Sequence, residues 1–546
     1  MAVASSNSLI ESAAAVPRFD RDADSRSARH VTLIRPALCS PVGNWTACVT
    51  PPLGLAYLAA VLEENGTRVA IVDGLAEGID QHREEDGYRY HGLSIEDTVN
   101  RIDPETDLIG VSCMFSQDWP WLRSLMTAIR QRFPHTPIVA GGEHITAMPQ
   151  YCLEDCPALS YCVSGEGEET IVELVNQLAN PDGIRQVTGL TYRDGDRFVQ
   201  TAPRRRIRAV DSIPYPAWHL FPMEVYLDSR NAHGMFLGRT IGILATRGCP
   251  YKCTFCSNPV MYGNLWIPRS PAHVLDEIEH FIERYEITNV DFYDLTAIVR
   301  RTWILEFCRL IEERGLKFTW QLPSGTRSEV LDAEVCAALH RTGCRYVCYA
   351  PESGSRETLE IIKKQVDLKK LTQSIRGALS EQMSVKVNLI IGFPHERRRH
   401  IWQTIRFGWK LAILGAHDVS FYVFSPYPGS ALFDELRAEG RIPHFDAAYF
   451  RSLAAFMNPF AINQYCRNIG GRELGLWRMF GMLSFYVLSY GLRPVRFWRL
   501  ARNLLKNESG TILDSRLGAI LRRPKATVKP TVKAAQPASA QHAAIG

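Results

Sequence analysis

Three cysteines stand close together near the middle of the chain, at Cys249, Cys253 and Cys256. Three thiolates can hold three corners of a [4Fe–4S] cluster, and the fourth iron then stays open for chemistry rather than only for electron storage. The apolar run Ile241–Thr246 just before them predicts a buried strand. The cysteines are therefore expected on the loop at the carboxyl end of that strand, where α/β folds place their sites.

Two other uses of these cysteines are less favoured by the sequence. Zinc could be held by the triplet and a distant histidine, but structural zinc sites usually add a second cysteine or histidine pair further along the chain. No such pair is evident here. A disulfide framework is disfavoured because the N-terminal residues lack the apolar core of a secretory signal. Fourteen cysteines without such a signal predict a reducing, cytoplasmic location.

The stretch Ile243-Leu-Ala-Thr-Arg-Gly-Cys-Pro-Tyr-Lys-Cys-Thr-Phe-Cys256 resembles the cluster-binding motif of the radical SAM enzymes. The resemblance implies that the three cysteines hold the cluster and that S-adenosylmethionine (SAM) chelates the fourth iron. It also implies that an electron from the cluster splits SAM to give a 5′-deoxyadenosyl radical. An external electron donor such as flavodoxin or ferredoxin would supply that electron.

The region 30–185 alternates short apolar runs with helical stretches such as Trp119–Phe133. Alternating strands and helices predict a doubly wound, Rossmann-like parallel sheet, which binds its ligands at the carboxyl ends of the strands. The predicted strands are His30–Pro36, Arg68–Asp73, Leu108–Cys113, Pro137–Gly142 and Tyr161–Ser164.

Three stretches of this region resemble the cobalamin-binding domain of the cobalamin-dependent radical SAM class. They are the helix start Pro51-Pro-Leu-Gly-Leu, the run Gly141-Gly-Glu-His-Ile-Thr146 and the run Gly165-Glu-Gly-Glu168. Paired glycines after a strand let a large ligand approach the backbone closely. The resemblance implies that cobalamin is contacted by Ser112, Gly141, Gly142, His144, Thr146, Ser164, Gly165 and Glu166.

No histidine is expected on the cobalt. Many cobalamin proteins supply a lower-axial histidine from Asp-x-His-x-x-Gly, but the region taken as corresponding reads Val72-Asp-Gly-Leu-Ala-Glu-Gly78. The resemblance therefore implies cobalamin with a weakly ligated lower face. His144 is then a cobalamin contact rather than a cobalt ligand, or it only stabilises its loop by a hydrogen bond.

Repeated strand and helix patterns continue over 235–455 and resemble the partial (β/α)6 barrel of radical SAM enzymes. A full eight-unit barrel would leave too little chain for the C-terminal helices. Residues 186–234 are interpreted as a hairpin, signalled by Asp194-Gly195 between apolar arms, and a connector. The six predicted strands are Ile241–Thr246, Asn289–Asp294, Phe318–Leu322, Tyr346–Pro351, Lys386–Phe393 and Asp418–Pro426.

Residues at the ends of these strands resemble the family's SAM contacts. Arg327 is an alternative partner for the SAM carboxylate, and an Asp or Ser at a strand end is often only a helix cap. His395 and Glu396 could equally form a surface pair. The SAM contacts implied by the resemblance are Phe255, Tyr293, Asp294, Arg327, Glu352, Ser353 and Gly392.

The ends of the chain are expected to carry no chemistry. Residues 1–29 and 525–546 are predicted to be disordered, and 456–524 to be helical. No apolar run reaches the roughly 18 residues of a membrane span, but the arginine-flanked run Met479–Leu492 favours either a helix on a membrane surface, through 476–502, or a buried packing helix. The net charge of +4 over 546 residues gives no nucleic-acid footprint.

Two cofactors in one chain predict a SAM- and cobalamin-dependent C-methyltransferase, acting on an unactivated carbon of a hydrophobic or natural-product small molecule. The runner-up is an oxidative cyclase of a tetrapyrrole-like substrate, as in the anaerobic cyclase of chlorophyll-type pigments, which the resemblance also covers. A non-catalytic cobalamin or iron–sulfur sensor is the alternative from another class, but no output domain is evident.

Overall fold

The computed structural model describes residues 29–42, 48–85, 87–227, 229, 232–327, 329–454, 465–506 and 508–521. The predicted disordered ends, 1–29 and 525–546, lie outside this range apart from Arg29 and remain predictions. The first part of the predicted C-terminal region, up to residue 464, also lies outside it.

The first domain is a sheet covered by helices on both faces. Five strands run parallel in the order β3-β1-β6-β7-β8, because their short apolar runs can be buried on two sides. One apolar cluster contains residues of α1 and α6, and a second contains residues of α2, α3 and α5. The predicted doubly wound sheet is confirmed. Its elements are β1 (His30–Arg35), β2 (Leu38–Pro41), α1 (Leu53–Glu64), β3 (Arg68–Asp73), β4 (His82–Glu85), β5 (Tyr88–His91), α2 (Ile95–Asn100), β6 (Leu108–Ser112), α3 (Trp119–Arg132), β7 (Ile138–Gly141), α4 (Glu143–Ala147), α5 (Pro149–Asp155), β8 (Tyr161–Val163), α6 (Glu168–Gln177) and α7 (Pro181–Ile184).

The hairpin after this domain belongs to the same sheet. Strands β9 (Leu190–Asp194) and β10 (Arg197–Gln200) pair with each other, and β9 pairs antiparallel with β8. Gly195 turns the hairpin with φ of +60°. The sheet therefore extends to Gln200 rather than ending at 185. The strands β2, β5 and β4 form a separate small sheet that the sequence did not predict.

The second domain is a partial barrel of six parallel strands in the order β11-β14-β15-β16-β17-β18. Each neighbour follows in chain order, which confirms the six-unit prediction. Its elements, with the connector helix α8 before them, are α8 (Met223–Leu227), β11 (Thr240–Ile243), β12 (Thr246–Arg247), α9 (Asn258–Tyr262), β13 (Ile267–Pro268), α10 (Pro271–Tyr285), β14 (Asn289–Phe292), α11 (Arg301–Arg314), β15 (Thr319–Thr326), α12 (Ala333–Arg341), β16 (Cys344–Glu352), α13 (Arg356–Ile361), α14 (Leu368–Ser380), β17 (Ser384–Ile391), α15 (Arg398–Leu414), β18 (Asp418–Val423), α16 (Ala431–Ala438) and α17 (Ala447–Leu453).

Three helices follow the barrel: α18 (Gly471–Leu492), α19 (Val495–Lys506) and α20 (Ile512–Leu521). One face of α18 packs on α15 and β18, where Trp409 donates a hydrogen bond to Ser484 Oγ (2.8 Å). The packing interpretation of Met479–Leu492 is thus confirmed for this face. Among the described residues, no helix is both long and apolar enough to cross a membrane.

Candidate active site between the two domains

The loop after β11 carries the three clustered cysteines. Cys249, Cys253 and Cys256 are half-exposed, whereas every other cysteine except Cys48 is buried. No three His, Cys, Asp or Glu side chains of the described residues are gathered into a metal-binding group. The donor set nevertheless fits an iron–sulfur cluster, because three accessible thiols share one loop. Burial raises the pKa of Cys253 and that of Cys256, so metal binding must release their protons.

Asp294 fixes the start of this loop. Its carboxylate accepts hydrogen bonds from the Thr246 backbone N–H (2.5 Å), the Thr246 hydroxyl (2.6 Å) and the Ala245 N–H (3.2 Å). Tyr293 lies over Gly242 and meets the His233 ring edge-on at 5.7 Å. The structure therefore gives Asp294 a role in shaping the loop, and SAM contacts of Tyr293 and Asp294 stay predictions.

Charged side chains surround the other side of the loop. The Phe255 ring packs on Phe393, with centroids 5.6 Å apart. Lys364 Nζ lies 6.0 Å from the centre of the Phe255 ring and 2.9 Å from Glu352 Oε1. The sequence did not single out Lys364, because it follows the short helix α13 rather than a strand.

Arg327 lies against the same loop. Its guanidinium carbon is 3.6 Å from the centre of the Tyr251 ring, and its Nη2 is 2.8 Å from Glu329 Oε1. Two cations, Arg327 and Lys364, thus approach the cysteine loop, as the binding of a SAM carboxylate there would require.

Two further predicted SAM contacts have structural partners. Ser353 is buried, and its Oγ lies 2.9 Å from Thr404 Oγ1. Gly392 has φ of +85°, and a Cβ there would meet Leu474 Cδ1 at 2.9 Å. The backbone N–H of Gly392 donates to Glu396 Oε2 (2.6 Å).

The alternative of a surface pair between His395 and Glu396 is wrong. Glu396 is fully buried, and it also accepts hydrogen bonds from Phe393 N–H and the Thr358 hydroxyl (both 3.2 Å). The turn at Pro394 brings the Glu396 carboxylate back towards the backbone of its own loop. The sequence alone does not show this turn.

The carboxyl edge of the first sheet fits a large ligand. Gly142 and Gly165 have φ of +116° and +78°, and a Cβ at Gly142 would meet Cys113 O at 2.5 Å. The Ser164 hydroxyl is buried without a hydrogen-bond partner in the described chain, and the Met114 side chain on the loop after Ser112 is half-exposed. A cradle with an unpaired hydroxyl and accessible apolar surface matches the corrin and amide edge of cobalamin.

Thr146 joins the two glycine loops of this edge. Its hydroxyl donates to Gly142 O (2.9 Å) and receives a hydrogen bond from Gly165 N–H (3.1 Å). The same oxygen lies 3.5 Å from the sulfur of Met261 in the barrel domain. The loops that resemble a cobalamin site therefore lie directly against the segment after the cysteine loop.

Comparison with known proteins identifies both domains. The B12 binding domain model matches residues 42–175, and the Radical SAM superfamily model matches residues 243–408. An uncharacterised methyltransferase of Pyrococcus horikoshii is 30% identical over 404 residues, which cover 74% of this chain and 82% of that protein. The chain belongs to the cobalamin-binding radical SAM family. It is an enzyme that uses cobalamin, SAM and a [4Fe–4S] cluster, and its predicted family is confirmed.

Relatives with named reactions fall into two groups. The cytidylyl-2-hydroxyethylphosphonate methyltransferase of Streptomyces wedmorensis is 29% identical, covering 78% of this chain and 85% of that protein. The anaerobic magnesium-protoporphyrin IX monomethyl ester cyclase of Cereibacter sphaeroides is 25% identical, covering 77% and 65% respectively. The family thus includes methyltransferases and cyclases.

A solved structure shares the architecture. The cobalamin-dependent SAM radical enzyme OxsB, with aqua-cobalamin and SAM bound, superposes with a TM-score of 0.65 at 15% identity, covering 90% of this chain and 75% of that one. At this identity the likeness supports the two-domain fold alone.

His144 of the cobalamin-binding domain is a core residue. It is buried, its Nδ1 lies 2.9 Å from Ser116 Oγ, and its ring packs 5.1 Å from that of Trp119. Burial lowers its pKa to about 3, so the imidazole is neutral. The loop-stabilising alternative is what the structure shows, and a contact of His144 with cobalamin stays a prediction.

The stretch Val72–Gly78 does not occupy the position in the fold from which a cobalt-ligating histidine would come. The strand order reverses between β1 and β6, where doubly wound sheets bind their ligands. Asp73 instead is the last residue of the edge strand β3, and its carboxylate accepts a hydrogen bond from Tyr226 Oη (2.5 Å). The loop at the reversal, 36–52, also contains no histidine in its sequence, although residues 43–47 lie outside the described range.

Glu166 points away from the cobalamin cradle. Its carboxylate contacts Arg206 Nε (2.7 Å) and Arg247 Nη1 (3.1 Å), and it accepts the Ile207 N–H (2.9 Å). These partners engage the Glu166 carboxylate between the two domains. Only the backbone of Glu166 therefore stays a predicted cobalamin contact.

Half-buried polar side chains lie near the boundary of the two domains. Arg516 of α20 donates a hydrogen bond to Cys48 Sγ (3.4 Å), and Cys48, Tyr293 and Lys386 all keep some accessible surface. Asn388, two residues after Lys386 on the same strand, has a buried Oδ1 without a partner in the described chain. Strand β17 therefore brings polar side chains to this boundary.

Proposed function

We propose that this enzyme methylates an unactivated carbon of a small molecule. The observation that carries the proposal is the arrangement of the two cofactor edges: residues of the cobalamin cradle contact the residues that follow the cysteine loop. Together the cofactors supply a 5′-deoxyadenosyl radical, able to remove hydrogen from a carbon, and a methyl group to replace it. The protein then has to orient the substrate and exclude water.

Polar side chains of the barrel favour a substrate with polar groups. Lys386 Nζ lies 3.5 Å from Tyr422 Oη, and Ser324 Oγ lies 3.4 Å from His233 Nε2. Together with the unpaired oxygen of Asn388, these groups can orient a substrate by hydrogen bonds. Of the hydrophobic and natural-product substrates that the sequence allows, we therefore favour a natural product with polar functional groups.

Isotope transfer separates methylation from cyclisation. Reconstituted enzyme is incubated with SAM labelled in its methyl group, a reductant and a small-molecule extract of the producing cells. Methylation predicts 5′-deoxyadenosine, S-adenosylhomocysteine and a labelled product. Formation of 5′-deoxyadenosine with an unlabelled, ring-closed product would favour the cyclase alternative, and absence of SAM cleavage would favour the sensor.

We also propose that cobalamin binds without a histidine on cobalt. The engaged, buried position of His144 and the absence of histidine from 36–52 support this. Electron paramagnetic resonance of the cob(II)alamin-loaded protein should then lack splitting from an imidazole nitrogen. Such splitting, lost in His144→Ala, would refute the proposal.

The electron is proposed to come from an external flavodoxin or ferredoxin. The half-exposed cysteines would let a small electron donor of low potential approach the cluster. Replacing chemical reductant by reduced flavodoxin should preserve SAM cleavage, and failure with both flavodoxin and ferredoxin would contradict the proposal.

We propose that the outer face of α18 and α19 rests on an anionic phospholipid surface. Trp498 is 79% exposed and Leu505 87%, on a helix whose charged residues are all basic. Apolar side chains between arginines suit such a surface. The outer face of α18 adds the exposed apolar residues Leu476, Met479, Phe480, Leu483 and Val487.

Vesicle flotation tests this surface. Full-length enzyme should float with vesicles containing phosphatidylglycerol and much less with phosphatidylcholine alone. Trp498→Ala combined with Leu505→Ala should abolish flotation, whereas Ile361→Ala, at an exposed apolar residue of the barrel, should not. The wild type could instead fail to float and form concentration-dependent dimers that the double variant does not form. That result would refute the membrane proposal and mean that a second copy of the chain covers the face.

A further inference from the structure

Four charged side chains meet in the interior between the two domains. Arg247 contacts Glu166 (Nη1 to Oε1, 3.1 Å) and Glu168 (Nη2 to Oε1, 2.6 Å). Arg206 from the connector reaches the other oxygen of Glu166 (2.7 Å). Glu166, Glu168 and Arg247 are each less than 9% exposed. Buried charges are tolerated only where partners satisfy them, so the two domains are held in one register.

The four charges connect the two cofactor loops. Glu166 lies on the loop after β8, next to Gly165 of the cobalamin cradle, and Glu168 is the first residue of α6. Arg247 stands directly before Gly248 and Cys249. The guanidinium of Arg247 also lies over the Tyr57 ring of α1, 5.2 Å from its centre. The start of the cysteine loop is thus bound to the cobalamin-binding domain.

The end of the cysteine loop is bound in the same way. Ser257, directly after Cys256, donates a hydrogen bond to the carboxylate of Glu143. Glu143 follows the glycine pair Gly141-Gly142 at the other side of the cradle. Each glycine loop of the cobalamin domain therefore holds one end of the loop that carries the cysteines.

We propose that Glu143, Glu166 and Glu168 are positioning residues that couple cobalamin binding in the first domain to cluster assembly in the second. This rests on the proposed function only in requiring that one chain binds both cofactors. Ordering of the cysteine loop by the cluster fixes Arg247 and Ser257, and these fix the glycine loops that receive cobalamin. By thermodynamic reciprocity, cobalamin favours cluster assembly by the same factor.

The coupling is measured as a ratio of affinities without turnover. Full-length protein, with and without reconstituted cluster, is titrated with hydroxocobalamin in the absence of SAM. We expect the cluster to tighten cobalamin binding about fivefold or more. In Arg247→Met, which keeps the apolar stem but cannot pair with either glutamate, the ratio should fall to about one. Ser257→Ala should lower it partly.

A matched control lies on the surface of the same domain. Arg301 pairs with Asp332 (3.1 Å) and Glu334 on the exposed side of α11, and Arg301→Met should keep the wild-type ratio. If Arg247→Met does not fold, Arg247→Lys, which retains a charge with less reach, should give an intermediate ratio. An unchanged ratio in a folded Arg247 variant, or a ratio of one in the wild type, overturns the proposal. Coupling without methyl transfer would instead refute only the proposed reaction.

Discussion

Glu396 offers a direct test of how the loop after β17 is held. Replacement by Ala leaves the N–H groups of Gly392 and Phe393 and the Thr358 hydroxyl without their acceptor. Each buried polar group left unpaired costs about 1–3 kcal/mol, so the three groups together predict a loss of about 3–9 kcal/mol in Glu396→Ala. Loss on this scale is a large part of the stability of a typical domain.

The negative charge of Glu396 destabilises the folded state, whereas its hydrogen bonds stabilise it. Burial raises its pKa to about 7, against roughly 4.3 in the unfolded chain. Because the folded value is the higher one, the protonated form favours the folded state. Its contribution is fully present below about pH 4.3 and is lost as the pH rises through 7. The difference amounts to about 3–4 kcal/mol at high pH.

Glutamine separates the two effects. Its oxygen can accept both backbone N–H groups and its amide can donate to the Thr358 hydroxyl, while it stays neutral at every pH. Glu396→Gln should therefore match the wild type near pH 4 and be more stable near pH 8.5, by up to about 3 kcal/mol. Glu396→Ala should be less stable than the wild type at pH 4, where the charge plays almost no part.

Hydrogen exchange, read by mass spectrometry on peptides covering 388–400, measures this locally in the full-length protein. Hydrogen exchange reports the local opening of this loop, so the measurement does not require the two domains to unfold as one cooperative unit. The reasoning is refuted if Glu396→Gln exchanges as fast as Glu396→Ala at pH 8.5, because the charge would then stabilise the turn despite its burial.

Three further predictions concern Gly392, Lys364 and Cys48. Gly392→Ala should cost about 1–3 kcal/mol, because its φ of +85° disfavours a side chain; Leu474→Ala should recover only the part due to the clash, as read by thermal unfolding. Lys364→Met should weaken SAM binding about tenfold, the loss of one charged hydrogen bond, while cobalamin retention, measured by absorbance, stays unchanged. Although burial opposes ionisation, nearby Arg516 lowers the pKa of Cys48 to about 6; alkylation should therefore rise through pH 6, and Arg516→Met should move that midpoint upward.

The strands were predictable because each is a short apolar run between polar segments. The run Lys386–Phe393 was predicted two residues late relative to β17, which spans Ser384–Ile391. Composition marks which residues are buried, but the ends of a strand depend on backbone pairing with its neighbours: β17 pairs with β16 from Ser384 and with β18 as far as Ile391.

The partners of the charged site residues were not predictable. Glu166 meets Arg247 across 81 positions, and Asp294 meets Thr246 across 48. Motif resemblance marked Glu166 and Asp294 as ligand contacts, because a motif records that a residue type recurs, not what the residue touches. Only the packed structure distinguishes a carboxylate facing a ligand from one that shapes the loop beside it.

The sequence around Met479–Leu492 allowed packing or membrane contact, and helix geometry makes both compatible. Residues spaced by three and four lie on one face of a helix. Leu474, Gly481 and Phe485 are buried on the inner face, while Leu483 and Val487 are about 65% exposed on the outer face. Leu483→Glu should therefore abolish vesicle flotation with little change in thermal stability. Phe485→Ala should do the reverse, because it empties packed volume at a cost of about 3–5 kcal/mol; if both variants unfold the protein alike, α18 has no free face.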